Sequence, residues 1–294
     1  MVAAFLTAAI LSSGLSAQKF ESAVVSTVRA GGRVEQTVTF PSPAKSPFAA
    51  NNTVWAHFSY PEAPGRYPCI LVLPVMAAPN IWIEQRFINR FEAGNFAVMW
   101  LEMPYQFHRR PDSLIPSGQV FLARTAPRLA ANFRQSVGDA RRALDWLSGQ
   151  PSVDRGRIGL FGVSLGALVS SVLYSTDARP KYAVFLLGGA DFPTLAVGSS
   201  MTGPFIAKAG ITLDALRRAW VGIDPLDYLK TNGGKRALLI NASWDAVIPK
   251  ANALKLKQAF PASRQQWVPL GHYSAILHLL WIPRYVAREF LANL

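Results

Sequence analysis

The chain has 294 residues, 50% of them hydrophobic and 16% charged, enough apolar material for one large α/β core, which excludes a disordered or low-complexity chain. Thirty Lys and Arg against 17 Asp and Glu give a net charge of +13. The basic residues are scattered in short pairs such as Arg109-Arg110 and Arg217-Arg218, a generally basic surface rather than a nucleic-acid arm, so no nucleic-acid partner is expected. A single cysteine, Cys69, excludes an intrachain disulfide and a cysteine-based zinc cluster, and His57, His108, His272 and His278 show no metal-ligand spacing. No metal is expected.

Residues 1–17 open with the apolar run Val2–Leu11 and continue through the small residues Ser12 to Ala17. This reads as a signal peptide cleaved before Gln18, with export to the periplasm or medium as the expectation. The run is too short for a stable membrane span. The alternative, given an n-region with no Lys or Arg, is an N-terminal helix packed on a cytoplasmic domain. Residues 18–294 then form the folded domain. Val34–Phe40 and Thr53–Tyr60 alternate with period two and read as antiparallel strands, with His57 a half-exposed strand histidine. Cys69–Leu73 is continuously apolar, a strand buried on both faces, with Cys69 a small buried hydrophobe.

From there helix-like and strand-like segments alternate. Helices are expected over Ile81–Ala93, Phe133–Leu147, Lys250–Phe260 and Ser274–Ala292, and strands over Phe96–Leu101, Arg157–Ser164, Tyr182–Leu187, Arg236–Asn241 and Gln265–Val268. The alternation predicts an α/β chain, a doubly wound, mostly parallel sheet with an antiparallel start. Two long connections interrupt it, Pro104–Ala131 and residues 194–234, the second read as a small cap or lid. Long connections in a compact domain are usually functional, and both are expected to shape a substrate pocket.

Between the apolar segment Ile158–Phe161 and the helix-like segment Leu165–Tyr174 stands Gly162-Val163-Ser164-Leu165-Gly166. The two glycines let backbones pass close to a sharp strand-to-helix turn that exposes the serine hydroxyl. The competing reading is a helix-entry turn with Ser164 as N-cap. Downstream, the strand Ala237–Asn241 runs into Ala242-Ser-Trp-Asp245-Ala-Val-Ile-Pro249, and Trp267-Val-Pro-Leu-Gly271-His272 ends another strand. Serine, carboxylate and histidine in this order, each at a strand end, resemble the nucleophile elbow, acid turn and histidine loop of the α/β-hydrolase superfamily. Val153-Asp-Arg-Gly-Arg157-Ile-Gly ahead of the elbow is similar to the dienelactone-hydrolase and acyl-peptidase branch.

The resemblance implies a serine esterase acting on a small-molecule ester through an acyl-enzyme, without a cofactor. Ser164 would be the nucleophile, His272 the base and Asp245 the group that orients it, with Asp191 in Gly188-Gly-Ala-Asp-Phe-Pro193 as the competing acid. Oxyanion donors would be the N–H of Leu165 and that of Met76 or Val75, in a Leu73-Pro74-Val75-Met76-Ala77 loop where many members carry His-Gly. His108 and Arg109, with Arg110, are candidates for meeting a substrate anion, against the reading in which the arginines fix their own loop. Asp139 reads as a local partner of Arg142, and His278 as a helix histidine. The alternatives are a peptidase or amidase with the same residues, or a non-catalytic ligand-binding protein.

Overall fold

The structure is a computed structural model that describes residues 20–77 and 79–294, so the expected signal peptide, residues 1–17, lies outside the described residues. Nine strands form one sheet: β1 (Ala23–Ala30), β2 (Arg33–Pro41), β3 (Thr53–Pro61), β4 (Tyr67–Leu73), β5 (Ala97–Leu101), β6 (Val153–Val163), β7 (Pro180–Leu186), β8 (Ala237–Ala242) and β9 (Arg264–Val268). Their order is β1-β2-β3-β5-β4-β6-β7-β8-β9. The first three strands and the β3–β5 pair are antiparallel, and β5-β4-β6-β7-β8-β9 is parallel throughout.

Helices α1 (Trp82–Ala93), α2 (Ala126–Gly149), α3 (Leu165–Thr176), α4 (Phe192–Gly198), α5 (Gly203–Lys208), α6 (Leu213–Ala219), α7 (Leu229–Asn232), α8 (Lys250–Ala259) and α9 (Ile282–Asn293) complete the framework. Alternation along the strands divides the core. In β4, Cys69, Leu71 and Leu73 face a layer holding Ala140 and Leu144 of α2, Val169 and Leu173 of α3 and Leu256 of α8. Ile70 and Val72 face the opposite layer, where Phe87 and Phe91 of α1 meet Val286 and Phe290 of α9. A strand buried on both faces has no polar side to alternate with, which is why β4 reads as one apolar run. Burial pushes the Cys69 thiol far up, so it behaves as a hydrophobe.

Three expectations need correction. β1 was not expected as a strand: it is exposed on every residue, so it lacks the apolar alternation that marks a half-buried strand. The helix expected over Ser274–Ala292 is two elements, a 3-10 turn at Ser274–Leu280 and then α9, with Pro283 in its first turn. α2 begins at Ala126, earlier than Phe133, with Thr125 accepting the Arg128 N–H at its head and Pro127 in the first turn.

The order places β5 on one side of β4 and β6 on the other. At such a reversal the chains leaving the strand ends diverge and open a crevice, the usual ligand position in an open parallel sheet. Leu73 ends β4 and Val163 ends β6 at that crevice, with Ala242 and Val268 ending β8 and β9 further along.

Candidate active site

The turn from β6 into α3 is held by close backbone packing. A Cβ on Gly162 would lie 2.3 Å from the Gly166 carbonyl oxygen, and one on Gly166 would lie 1.9 Å from that of Leu73. Only glycine fits at either position. Between them Ser164 has φ 52 and ψ −114, its N–H donates to Leu186 O of β7 at 2.9 Å, and its carbonyl accepts Leu168 N–H at 3.0 Å. Such a conformation costs about 1–3 kcal/mol in a non-glycine residue and persists only where the surroundings determine it. Ser164 thus stands at the N-cap position of α3, but its side chain makes no capping bond. Ser164 Oγ lies instead 3.1 Å from His272 Nε2.

His272 stands in the loop after β9, and Asp245 in the turn after β8. The two loops are bonded to each other: Trp244 N–H donates to Leu270 O at 3.0 Å, and Ser243 N–H to Val268 O at 2.8 Å. Asp245 Oδ1 accepts the N–H groups of Val247 and Ile248 at 2.8 and 2.7 Å, and Oδ2 faces His272 Nδ1 at 2.7 Å. The side chains are 3% and 9% exposed. A carboxylate so fixed only accepts, so the neutral imidazole carries its proton on Nδ1 and presents a bare Nε2 to the serine hydroxyl.

Asp191, the competing acid, is turned elsewhere. It caps α4, where its Oδ1 accepts Thr194 N–H at 3.5 Å, and its Oδ2 pairs with Lys255. Burial works to raise its pKa, but Lys255 and Thr194 outweigh it and hold the carboxyl below its usual range.

Leu165 is the first residue of α3, where an N–H has no partner within the helix and the helix dipole favours an anion. Across the crevice, Val75 N–H donates to Glu84 Oε1 at 2.9 Å. That bond occupies the Val75 N–H. Met76 N–H makes no hydrogen bond among the described residues, and Met76 shares both cavities with Ser164.

Those two cavities meet at Ser164. One, of about 100 Å³, is walled by Phe121, Phe133, Leu168, Phe192, Ile206 and Trp220. The other, of about 440 Å³, is walled by Ile83, Leu187, Tyr273, Ile276, Leu279 and Ile282, with His272 at its edge. Phe121 belongs to the first long connection, and Ile206 and Trp220 to the second, so both contribute apolar wall.

The anion-binding expectation for His108 and Arg109 does not hold. The Arg109 side chain is fully buried, and its guanidinium donates to Glu102 O, Asn51 O and Asp139 Oδ2 at 2.7–2.8 Å. It pins its own loop to α2. Asp139 is thus the partner of Arg109, while Arg142, expected beside it, donates to Pro41 O. His108 stacks on Trp55 and bonds Glu102, and lines neither cavity at Ser164. His57 also faces Glu102 and stacks on Trp100, in a separate polar cavity with Glu35 and Glu92. His278 accepts the Trp281 indole N–H at 2.9 Å. Sequence reading missed Glu84 and Gln106, whose grip on Val75 is a tertiary contact with no motif. Among the described residues no group of three His, Cys, Asp or Glu is arranged to hold a metal, and no helix is long and apolar enough to cross a membrane.

No family model matches the chain. An uncharacterized protein of Mycobacterium tuberculosis is 40% identical over 78 residues, 26% of this chain and 26% of its own length, so the chain spans about a quarter of the curated relative it matches. Among solved structures it is similar to an acetyl xylan esterase from Paenibacillus sp. R4, with a TM-score of 0.74 at 16% identity over 94% of this chain and 90% of that one. Acetyl xylan esterase 1 from Thermoanaerobacterium sp. JW/SL YS485 gives 0.66 at 16% identity over 89% and 88%. A Mycobacterium tuberculosis puromycin-hydrolyzing peptidase gives 0.64 at 14% identity over 91% of this chain and 47% of that one. At these identities the likeness is one of architecture, and together with the strand order and the elbow it identifies the chain as having the α/β-hydrolase fold.

Proposed function

We propose that the protein is a serine hydrolase that cleaves carboxylic esters with an apolar group on each side of the scissile bond. The observation that carries this reading is the Ser164 Oγ, His272 Nε2, His272 Nδ1, Asp245 Oδ2 series, at 3.1 and 2.7 Å, at the junction of two apolar cavities. As Ser164 attacks the ester carbonyl, His272 takes the hydroxyl proton on Nε2, and Asp245 stabilises the imidazolium while remaining ionised. The developing oxyanion is met by the N–H groups of Leu165 and Met76. His272 returns the proton to the leaving alkoxide, and the alcohol departs from an ester formed with Ser164. Water, deprotonated by the same imidazole, attacks that acyl-enzyme and releases the acid and free Ser164.

The ester reading is favoured over the amide one by the walls: neither cavity offers a carboxylate or an arginine to anchor a peptide terminus or charged side chain. The smaller cavity suits the acyl group and the larger the alcohol, because the larger is bounded by His272, which serves the leaving group.

A fluorophosphonate probe with mass mapping, alongside 4-nitrophenyl esters of graded acyl length, tests the reading. Labelling should fall on Ser164 alone, and Ser164→Ala should lose both labelling and about 10⁶-fold in kcat. A folded parent that neither labels nor hydrolyses any ester of the series would sink it in favour of the ligand-binding alternative.

A further inference from the structure

The loop that carries the second oxyanion donor departs from the His-Gly form, and its position is set by two buried side chains from outside it. Glu84, in the first turn of α1, accepts Val75 N–H on Oε1 at 2.9 Å. Gln106, in the connection after β5, donates from Nε2 to Val75 O at 2.7 Å. Both side chains belong to residues 1% exposed. The Val75 residue is therefore held at its N–H and its C=O by different elements, and the peptide that follows, whose nitrogen is Met76 N, shares that carbonyl. A third support lies one residue on. Ala77 has φ 61, and a Cβ on Gly118 would come within 2.7 Å of its Cα and N, so the first long connection packs directly on the loop backbone.

From this geometry we infer that Glu84 and Gln106 are positioning residues: by gripping Val75 from both sides they aim Met76 N–H at the oxygen that becomes negative when Ser164 attacks. The inference rests on the esterase reading of Ser164 and deepens it by saying what replaces the His-Gly loop. The Val75–Met76 peptide plane is rigid, so fixing Val75 O also fixes the direction of Met76 N–H. Neither side chain touches substrate, and each acts through Val75.

Two further facts agree. Glu84 Oε2 and Gln106 Oε1 have no hydrogen-bond partner among the described residues, so the bond to Val75 is the one tertiary hydrogen bond each buried side chain makes among them. Burial pushes the Glu84 carboxyl up, against the pull of the Val75 N–H and its own backbone N–H. A glutamine keeps an acceptor oxygen of the same reach toward Val75 N–H, so Glu84→Gln is the conservative replacement and Glu84→Leu the disruptive one.

The experiment measures kcat and KM of the full chain on one 4-nitrophenyl ester for the parent, Glu84→Leu, Glu84→Gln and Gln106→Leu. It also measures inhibition by a boronic acid, whose tetrahedral adduct on Ser164 places an oxygen in the donor site. Expected are kcat losses of about 10–100-fold for both leucine variants with KM within about twofold, boronate affinity falling by the same factor, and recovery of parent kcat in Glu84→Gln. A role confined to packing would lower thermal stability without this parallel loss of kcat and boronate affinity. Should Glu84→Leu fail to fold, Gln106→Leu carries the same test. Parent-like kcat in the folded leucine variants, or a loss confined to KM, overturns the clamp while leaving the esterase reading intact. Absence of Ser164-dependent turnover in the parent overturns that reading first.

Discussion

On the side of the site formed by β6, β8 and β9, backbone sets position: Gly162 and Gly166 pass other chains at distances no side chain would survive, Ser164 N–H is tied to β7, and the acid and histidine loops bond to each other through main-chain groups. On the side formed by β4 and β5, side chains set position: Glu84 and Gln106 reach in to hold Val75, and Arg109 pins the connection after β5 to α2. Backbone approach demands glycine or a fixed order of residues and leaves a short motif. Side-chain bracing needs only that distant residues meet, and leaves none. A fold can thus keep one wall of a site invariant in geometry while building the other from unrelated residues.

The largest effect that would break this contrast is expected at the acid. Asp245→Asn should lower kcat by about 10⁴-fold with little change in thermal stability, since the amide can still accept from Val247 and Ile248 but no longer fixes the imidazole tautomer. Steady-state kinetics and a melting curve together check it, and a loss below about tenfold would remove Asp245 from its role. Next comes Gly166→Ala, whose methyl would sit 1.9 Å from Leu73 O, a backbone atom that cannot swing away. A loss of about 3 kcal/mol or more is expected, read as a denaturant midpoint shift or failure to give soluble protein. A variant of parental stability would show that the elbow is looser than its geometry implies.

A control away from both walls sharpens the comparison by moving stability alone. Asp177 pairs with Arg179 through two hydrogen bonds at 2.9 and 2.6 Å, and Arg179 also reaches Asp145 at 2.6 Å. Burial would raise the Asp177 pKa, but its Arg179 bonds and the Arg141 charge outweigh burial and hold it below the usual range. A depressed folded pKa contributes stability above the unfolded carboxylate value that is lost as pH falls through the folded one. Asp177→Asn should therefore cost on the order of 1 kcal/mol at pH 7, a partly solvated pair, with the gap to the parent closing below about pH 4 and kcat unchanged. Melting temperatures from pH 3 to 8 would show it, and a gap independent of pH would contradict it. The smallest effect is expected at Asp191, where Asn should leave kcat within about threefold and lower stability by roughly 0.5–1 kcal/mol through loss of the Lys255 ion pair, the α4 cap being kept by the amide oxygen. A kcat loss like that of Asp245→Asn would return Asp191 to the catalytic group.

Most of the fold was legible because strands buried on both faces read as apolar runs and amphipathic helices alternate with them. β1 was not, since neither face is buried and its signal reduces to the Gly31-Gly32 pair before the next strand. Ser164, Asp245 and His272, which lie within hydrogen-bond reach of one another, each follow a strand inside a short motif, so their neighbourhood was legible in the sequence. Arg109 could be read either as an anion contact or as a tie for its own loop, and the second holds; spacing could not name the partner, because Asp139 lies 30 residues away on a face of α2 that only packing reveals. Val75 and Met76 could not be told apart from sequence, since the difference between them is a hydrogen bond that Val75 N–H donates to Glu84 and that spacing does not announce.

β1 carries one more consequence, for solubility. Its outer edge has no partner strand among the described residues, and Val24, Val25 and Val28 stand half exposed along it. Unpaired edges invite strands from other molecules, and here the register shift between Val24 and Ser26 interrupts the flat ladder such growth needs. The hazard sits at the margin of the sheet beyond β2 and β3, away from the β4–β6 crevice. Self-association that begins there would consume molecules whose Ser164 remains correctly placed, so turbidity and loss of active-site titre would not run together.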